Sequence, residues 1–218
     1  MILLAIDTAT ECCSAALWAN GKIFHKSSVQ PRLHAEIILP FIDELLCEAN
    51  VLKSDIEGLI VGQGPGAFTG VRIGVGVAQG LALALNIPVL PVSNLETLAF
   101  AAYKKLDTSK EQKILVATDA RMNETYSAKY LIKDHHIKQL SKEVVTNASD
   151  INLSQVDAYI GSAFSVYPEL QAFAESMPMP YDTNQYSQAQ DMLDMVKNGF
   201  IKFSTHIENI EPIYLREP

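Results

Sequence analysis

Asn20-Gly21 separates two runs of strand-forming residues, Cys13 to Trp18 and Lys22 to Val29. Both central positions of a two-residue type I′ turn need positive φ. Asn-Gly meets that need at little steric cost, so the dipeptide between two such runs is a strong hairpin signal. An apolar run, Leu3 to Asp7, precedes the hairpin and reads as a buried strand. The chain therefore opens as an antiparallel meander and not as a βαβ unit. From Ile38, apolar residues fall at Phe41, Ile42, Leu45, Leu46 and Ala49, which is helical spacing. Pro40 inside this pattern predicts either a kink or a late start of the regular part. Gly58 to Gln63 reads as a short strand, and GPGAFTG leads into a helix from about Thr69 to Leu85. Ile87 to Val92 reads as a strand and Leu95 to Leu106 as a helix, giving the order β-β-β-α-β-α-β-α.

The polar stretch Asp107 to Gln112 reads as a linker, after which a similar order begins. Ile114 to Asp119 is an apolar strand ending in an aspartate, as the first strand does. Glu124 to Ile132 and Ile137 to Val145 read as its antiparallel partners, Ala158 to Gly161 as a strand, and Tyr167 to Glu175 and Ser187 to Phe200 as helices. A three-strand meander followed by αβα is the ribonuclease-H-like unit. Two such units in tandem give the α/β, two-lobed architecture of the actin-like ATPase (ASKHA) group. The lobes are expected at 1–106 and 107–218, with the last helix, from about residue 187, a candidate to pack back on the first. The likeness is in the order of elements, and fold alone does not give function.

Composition narrows the functions open to such a chain. Its 218 residues carry 17 Lys and Arg against 25 Asp and Glu, a formal net charge of -8, and 48% are hydrophobic. An acidic surface is repelled by phosphate backbones, so autonomous binding of nucleic acid is not expected, and a basic partner would have to hold any RNA. Cys12, Cys13 and Cys47 show neither a disulfide framework nor CxxC spacing, which fits reduced thiols in a cytoplasmic protein. MILLAIDTATE has no basic n-region and is interrupted by Asp7, so no signal peptide is expected. The apolar stretch Val71 to Val92 contains Arg72, Gln79, Asn86 and two prolines, which predicts a buried helix plus a strand and no membrane span.

The strand-end acids Asp7 and Asp119 occupy places where actin-like proteins hold nucleotide phosphates and magnesium. A phosphate turn needs glycine so that backbone N–H groups can approach oxygen. Asp7 is followed by Thr8, Ala9 and Thr10, and Asp119 by Ala120 and Arg121, so neither turn contains one. Asp7, Thr8 and Asp119 are thus candidate nucleotide-turn residues, with bonding of turn N–H groups as their structural alternative. Gly62-Gln63-Gly64-Pro65-Gly66-Ala67 formally matches the dinucleotide fingerprint. It follows a meander, Pro65 removes a donor, and neither the distal acid nor a P-loop lysine is present. In the next helix Gly74, Gly76 and Gly80 each cost about 1 kcal/mol relative to alanine. Gly70 and Gly74 share one face, as do Gly76 and Gly80, so close packing within the chain or against another subunit must offset that cost. His34 and Glu36 are two residues apart and do not share a helix face, which argues against a metal or acid–base pair. No catalytic or metal-ligating set is expected.

Taken together, AIDTAT, RLHAEIILPFIDELL, GQGPGAFTGVRIGVGVAQGLALAL, VSNLETLA, ATDARMNETYSA and EPIYLR resemble, in order and spacing, the TsaB family, also called YeaZ. The match is densest up to Tyr126. The resemblance implies a role in making threonylcarbamoyladenosine, the modified adenosine beside the anticodon of tRNAs that read codons beginning with A. It implies a paralogous partner, TsaD, which transfers the threonylcarbamoyl group, and an ATPase, TsaE, that joins the pair. The TsaB member is then a non-catalytic scaffold, a homodimer when alone, meeting tRNA only indirectly and having no cofactor of its own. ATP or ADP at the complex interface remains open. TsaD carries H-x-x-x-H after a comparable glycine-rich block, a spacing that suits metal chelation on one helix face. The corresponding positions here align with Asn94 and Leu98, which are not such ligands. The resemblance also implies pairing through the helix after RLHAE and the glycine-rich helix. Arg32, His34, Glu36, Gly70, Arg72, Gly74, Gly76 and Gly80 are therefore the candidate partner interface. The competing expectation is an ATP-dependent phosphotransferase of the actin and sugar-kinase type, whose ATP turnover would depend on Asp7.

Overall fold

The computed structural model describes residues 1–218 except 31, 108, 135, 178–184, 204–209 and 217–218. Asn20 and Gly21 take φ of 54° and 75°, and the flanking residues Ala19 and Lys22 pair. The two-residue turn expected from Asn-Gly thus joins β2 (Cys12–Ala19) to β3 (Lys22–Val29). β1 (Leu3–Asp7) pairs antiparallel with β2 and parallel with β4 (Gly58–Gly62), and β5 (Val89–Val92) lies parallel on β4. The order β3-β2-β1-β4-β5 is the ribonuclease-H-like sheet.

α1 (His34–Ala49) runs through Pro40, so the helix starts earlier than Ile38 and does not wait for the proline. Proline lacks the N–H that would bond the Glu36 carbonyl; Pro40 and Glu36 are both exposed, which leaves that carbonyl on the solvent side. Asn50 ends α1 in the left-handed region at φ 52°, its N–H bonding the Cys47 and Leu46 carbonyls. Ile38, Ile42 and Leu45 of α1 and Val71, Val75 and Ala78 of α2 (Phe68–Leu85) pack with Leu4 and Ile6 of β1. Each such apolar side chain, once buried, contributes about 1.5–3 kcal/mol. By length and hydropathy α2 passes for a membrane span, but it is the crossover between parallel strands β4 and β5 and buries one face in this core.

Every residue of β1 is buried, so its second face is covered as well. α6 (Ala189–Lys197) supplies that cover, packing on β1 and β2 with Ala189, Met192, Leu193 and Met195 buried. The first unit accordingly comprises Met1–Asn94 and Ser187–Ile213, and the second Leu95–Tyr186 with the residues from Tyr214 onward. The expected boundary at 106 lies too late. Beyond Asn94, the residues of α3 (Asn94–Tyr103), among them Leu95, Leu98 and Ala102, bury themselves against Ile114, Val116 and Tyr130 of the second sheet.

In the second unit β6 (Gln112–Arg121) pairs antiparallel with β7 (Glu124–Lys133) and parallel with β10 (Ala158–Ile160). The order β10-β6-β7-β8 matches β4-β1-β2-β3, and no counterpart of β5 occurs among the described residues. The expected strand Ile137 to Val145 is in fact two strands end to end on one edge of β7. β8 (His136–Gln139) pairs with Tyr130 to Lys133, and β9 (Val144–Asn147) with Glu124 to Ser127. Between them the Ser141 hydroxyl accepts the Lys129 N–H at 2.9 Å, a side chain taking the place of a ladder partner. α4 (Ala163–Val166) and α5 (Pro168–Ser176) cover the other face through Phe164, Tyr167 and Leu170.

Candidate functional site

β1 ends at Asp7, whose side chain is wholly buried. Its Oδ1 accepts the Ala9 N–H at 2.9 Å, and its Oδ2 accepts from Ser187 Oγ at 2.5 Å and from Asn94 Nδ2 at 2.8 Å. Asn94, at the start of α3, also donates to Ser187 Oγ at 2.7 Å and accepts the Gly64 N–H at 2.7 Å. All of these residues lie in the first unit. Burial pushes the Asp7 carboxyl up to about 6; the hydrogen bonds from Ser187, Ala9 and Asn94 and the charge of His34 pull it the other way. The side-chain oxygens of Asp7 and the amide of Asn94 are thus bonded within the chain. Among the described residues no cluster of His, Cys, Asp and Glu could hold a metal ion.

The turn after Asp7 is filled by the chain itself. Thr8 Oγ1 donates to the Gly70 carbonyl at 2.7 Å, and the Ala67 N–H bonds the Ala9 carbonyl at 2.7 Å. A Cβ on Gly66 would stand 2.3 Å from the Ala9 oxygen, and one on Gly70 2.1 Å from the Thr8 oxygen. Glycine is needed there so that α2 and the turn can touch backbone to backbone. This corrects the interface expected for Gly70 and Gly74, because Gly74 also faces Thr8 Oγ1, at 2.6 Å from a built Cβ. The helical period that turns this pair inward turns Gly76 and Gly80 outward, where a Cβ meets nothing within 4 Å.

The remaining candidates divide the same way. His34 is buried, its Nε2 donating to the Thr10 carbonyl at 2.8 Å, so it braces the first turn and is not open to a partner. Arg32, Glu36 and Arg72 are exposed, the guanidinium of Arg72 lying 3.5 Å from the Phe68 ring centroid. In the second unit Asp119 Oδ1 accepts Tyr167 OH at 2.5 Å and the Arg121 N–H at 2.7 Å, while Oδ2 accepts Arg121 Nη1 at 2.8 Å. Both strand-end acids are therefore tied to neighbours of their own unit. Ser187 and Tyr167, which make this so, lie 180 and 48 residues from their partners and carry no local sequence signal.

Two ribonuclease-H-like units in tandem, the first with its strand-end carboxylate bonded to an amide and a hydroxyl, place the chain in the actin-like ATPase fold class. A family model described as TsaD, tRNA N6-adenosine threonylcarbamoyltransferase, matches residues 26–204. The chain is 36% identical to the tRNA threonylcarbamoyladenosine biosynthesis protein TsaB of Escherichia coli over 99% of its own length and 95% of the relative. It is 34% identical to the TsaB protein of Haemophilus influenzae, over 99% and 94% of the two chains. A solved structure of YeaZ from Pseudomonas aeruginosa superposes with a TM-score of 0.81 at 36% identity, covering 98% of this chain and 99% of the other. The chain belongs to the TsaB (YeaZ) family, which is involved in tRNA threonylcarbamoyladenosine biosynthesis.

Proposed function

We propose that this chain is a cytoplasmic, non-catalytic subunit that a TsaD-type transferase requires in order to move the threonylcarbamoyl group onto the adenosine beside the tRNA anticodon. The observation that carries this reading is the engagement of Asn94. It stands where the resemblance puts the first metal histidine of TsaD, and its amide is spent on Asp7, Ser187 and Gly64. The packing of α2 glycines against the Thr8–Ala9 turn supports the same view, since the turn's backbone is bonded to α2. The subunit holds no nucleotide of its own, and ATP or ADP, where needed, sits at the junction with its partner.

The partner surface is the solvent face of α1 and α2. Leu39, Phe68 and Leu83 are 48%, 57% and 82% exposed there, and Gly76 and Gly80 leave room for another backbone. TsaD takes this surface in the working complex, TsaE joins the pair, and a second copy of the chain takes it in isolation. The net charge of -8 leaves tRNA to the partners. Reconstitution tests the proposal: TsaD, TsaE, ATP, threonylcarbamoyl-adenylate and tRNA, with and without this chain. Modification is expected only when the chain is present. Equal modification without it, or useful ATP turnover by the chain alone, overturns the reading.

A further inference from the structure

The chain passes between its two units three times, at Asn94–Leu95, Tyr186–Ser187 and Ile213–Tyr214. Two units of one chain are expected to turn relative to one another unless something fixes them, with a few residues at the crossings absorbing the change. In this chain the residue on the first-unit side of every crossing is hydrogen-bonded, and the bonds converge. Asn94 and Ser187 both donate to one oxygen, Oδ2 of Asp7, and Asn94 donates to Ser187 Oγ as well. The third root, Ile213, comes in through the turn at Gln63 and Gly64. Its N–H donates to the Gln63 carbonyl at 2.8 Å. The Asn94 N–H donates to the Gly64 carbonyl at 2.9 Å, and the Gly64 N–H donates back to Asn94 Oδ1 at 2.7 Å.

Three properties distinguish this cluster from ordinary turn bonding. Asp7, Asn94 and Ser187 are at most 1% exposed, so water does not compete for their bonds. The shared acceptor is a carboxylate, and hydrogen bonds to an ionised acceptor are shorter and about twice as strong as neutral ones. The 2.5 Å bond from Ser187 has that length. Room for the cluster also depends on Gly62, where a Cβ would stand 2.8 Å from Asp7 Oδ1 and 2.9 Å from Asn94 Nδ2. The start of α6, just beyond Ser187, is held as well, the Ala189 N–H donating to Ser14 Oγ at 3.0 Å.

We infer that the Asp7 cluster is a lock on the crossings. It fixes their three roots at one point of the first unit and so suppresses the turning of the second unit that three unheld crossings allow. A strand-end acid is here spent on the chain's own exits. The inference does not depend on the partnership with TsaD.

The full chain, labelled with ¹⁵N and weakly aligned, is studied by residual dipolar couplings, which report the order of each unit separately. In the parent, amides of both units are expected to fit one alignment tensor. Asn94→Ala and Ser187→Ala should each lower the order of the second unit below that of the first. Ser187→Ala removes a single hydroxyl, which keeps the test valid if Asn94→Ala folds poorly. Ile42→Val, a change in the apolar core on α1, lowers stability without touching the cluster and should leave the two orders equal. Unequal order in the parent, equal order in either folded cluster variant, or the same loss in Ile42→Val overturns the inference.

Discussion

Asn94 Nδ2 lies 2.8 Å from Asp7 Oδ2 and 2.7 Å from Ser187 Oγ, so one side-chain amide joins residues 180 positions apart in the chain. Its Oδ1 takes the Gly64 N–H as well. Asn94→Ala leaves a buried carboxylate short of a donor and a buried N–H without an acceptor. A loss of about 2–4 kcal/mol is expected, read as a lower urea midpoint. A midpoint unchanged from the parent would show that water replaces the amide without cost.

Asp7 makes stability depend on pH in an unusual direction for a carboxylate. Its folded value of about 6 lies above the ordinary 3.8, so between these values the folded chain binds more protons than the unfolded one. The contribution is fully present below the lower value and is lost as pH rises through the upper. At about 1.4 kcal/mol per pH unit, the change across the window is about 3 kcal/mol. Asp7→Asn cannot titrate, so the parent should lose roughly that much relative to the variant between pH 4 and pH 7. Urea unfolding at several pH values reads this directly, and a difference that stays constant across the series contradicts it.

The two glycine pairs of α2 should respond oppositely to substitution. Gly70→Ala puts a methyl group 2.1 Å from the Thr8 carbonyl oxygen, which must force α2 away from β1. A cost of at least about 3 kcal/mol in unfolding free energy is expected. Gly80→Ala opens into free space and should stabilise the monomer by about 0.5–1 kcal/mol. Gly76→Leu and Gly80→Leu should leave the fold intact yet abolish the dimer mass in light scattering and the pairing with TsaD. Retention of both in either leucine variant would move the interface elsewhere.

The three thiols should differ in reactivity. Cys12 and Cys13 are buried, and burial pushes both up to about 12, whereas Cys47 is exposed on α1. A disulfide reagent at pH 8 should label one thiol rapidly and the other two only at the rate of unfolding. Fast labelling of all three would mean that the sheet beside Asp7 opens readily.

Much of the first unit was readable because its signals are local. Asn20-Gly21 fixes a turn, the apolar spacing from Ile38 fixes a helix face, and the continuous apolar run of β1 announces a strand covered on both sides. The boundary between units was less legible, since the linker-like polarity of Asp107 to Gln112 says nothing about which sheet α3 joins, and Leu95 and Leu98 find their core in the second. Where β8 gives way to β9, the Lys129 N–H bonds the Ser141 hydroxyl and the Lys129 carbonyl takes the Leu140 N–H, an irregular pairing that no alternation of residues signals. The glycines of α2 were recognisable as a close-approach device, but which pair met the chain's own turn depended on helix rotation. The closing of Asp7 by Ser187 needs the whole chain to be folded before it exists.

The division of the first unit into residues before Asn94 and after Ser187 has a consequence for synthesis. A ribosome makes the chain from the N-terminus at about 5–20 residues per second. When β1 to β5 have emerged, the helix that must cover them is still unmade, and Leu95–Tyr186 of the second unit are translated in between. During that interval the far side of the nascent sheet stays wet and Asp7 stays hydrated. The first-made strands of the protein are therefore among the last to be covered.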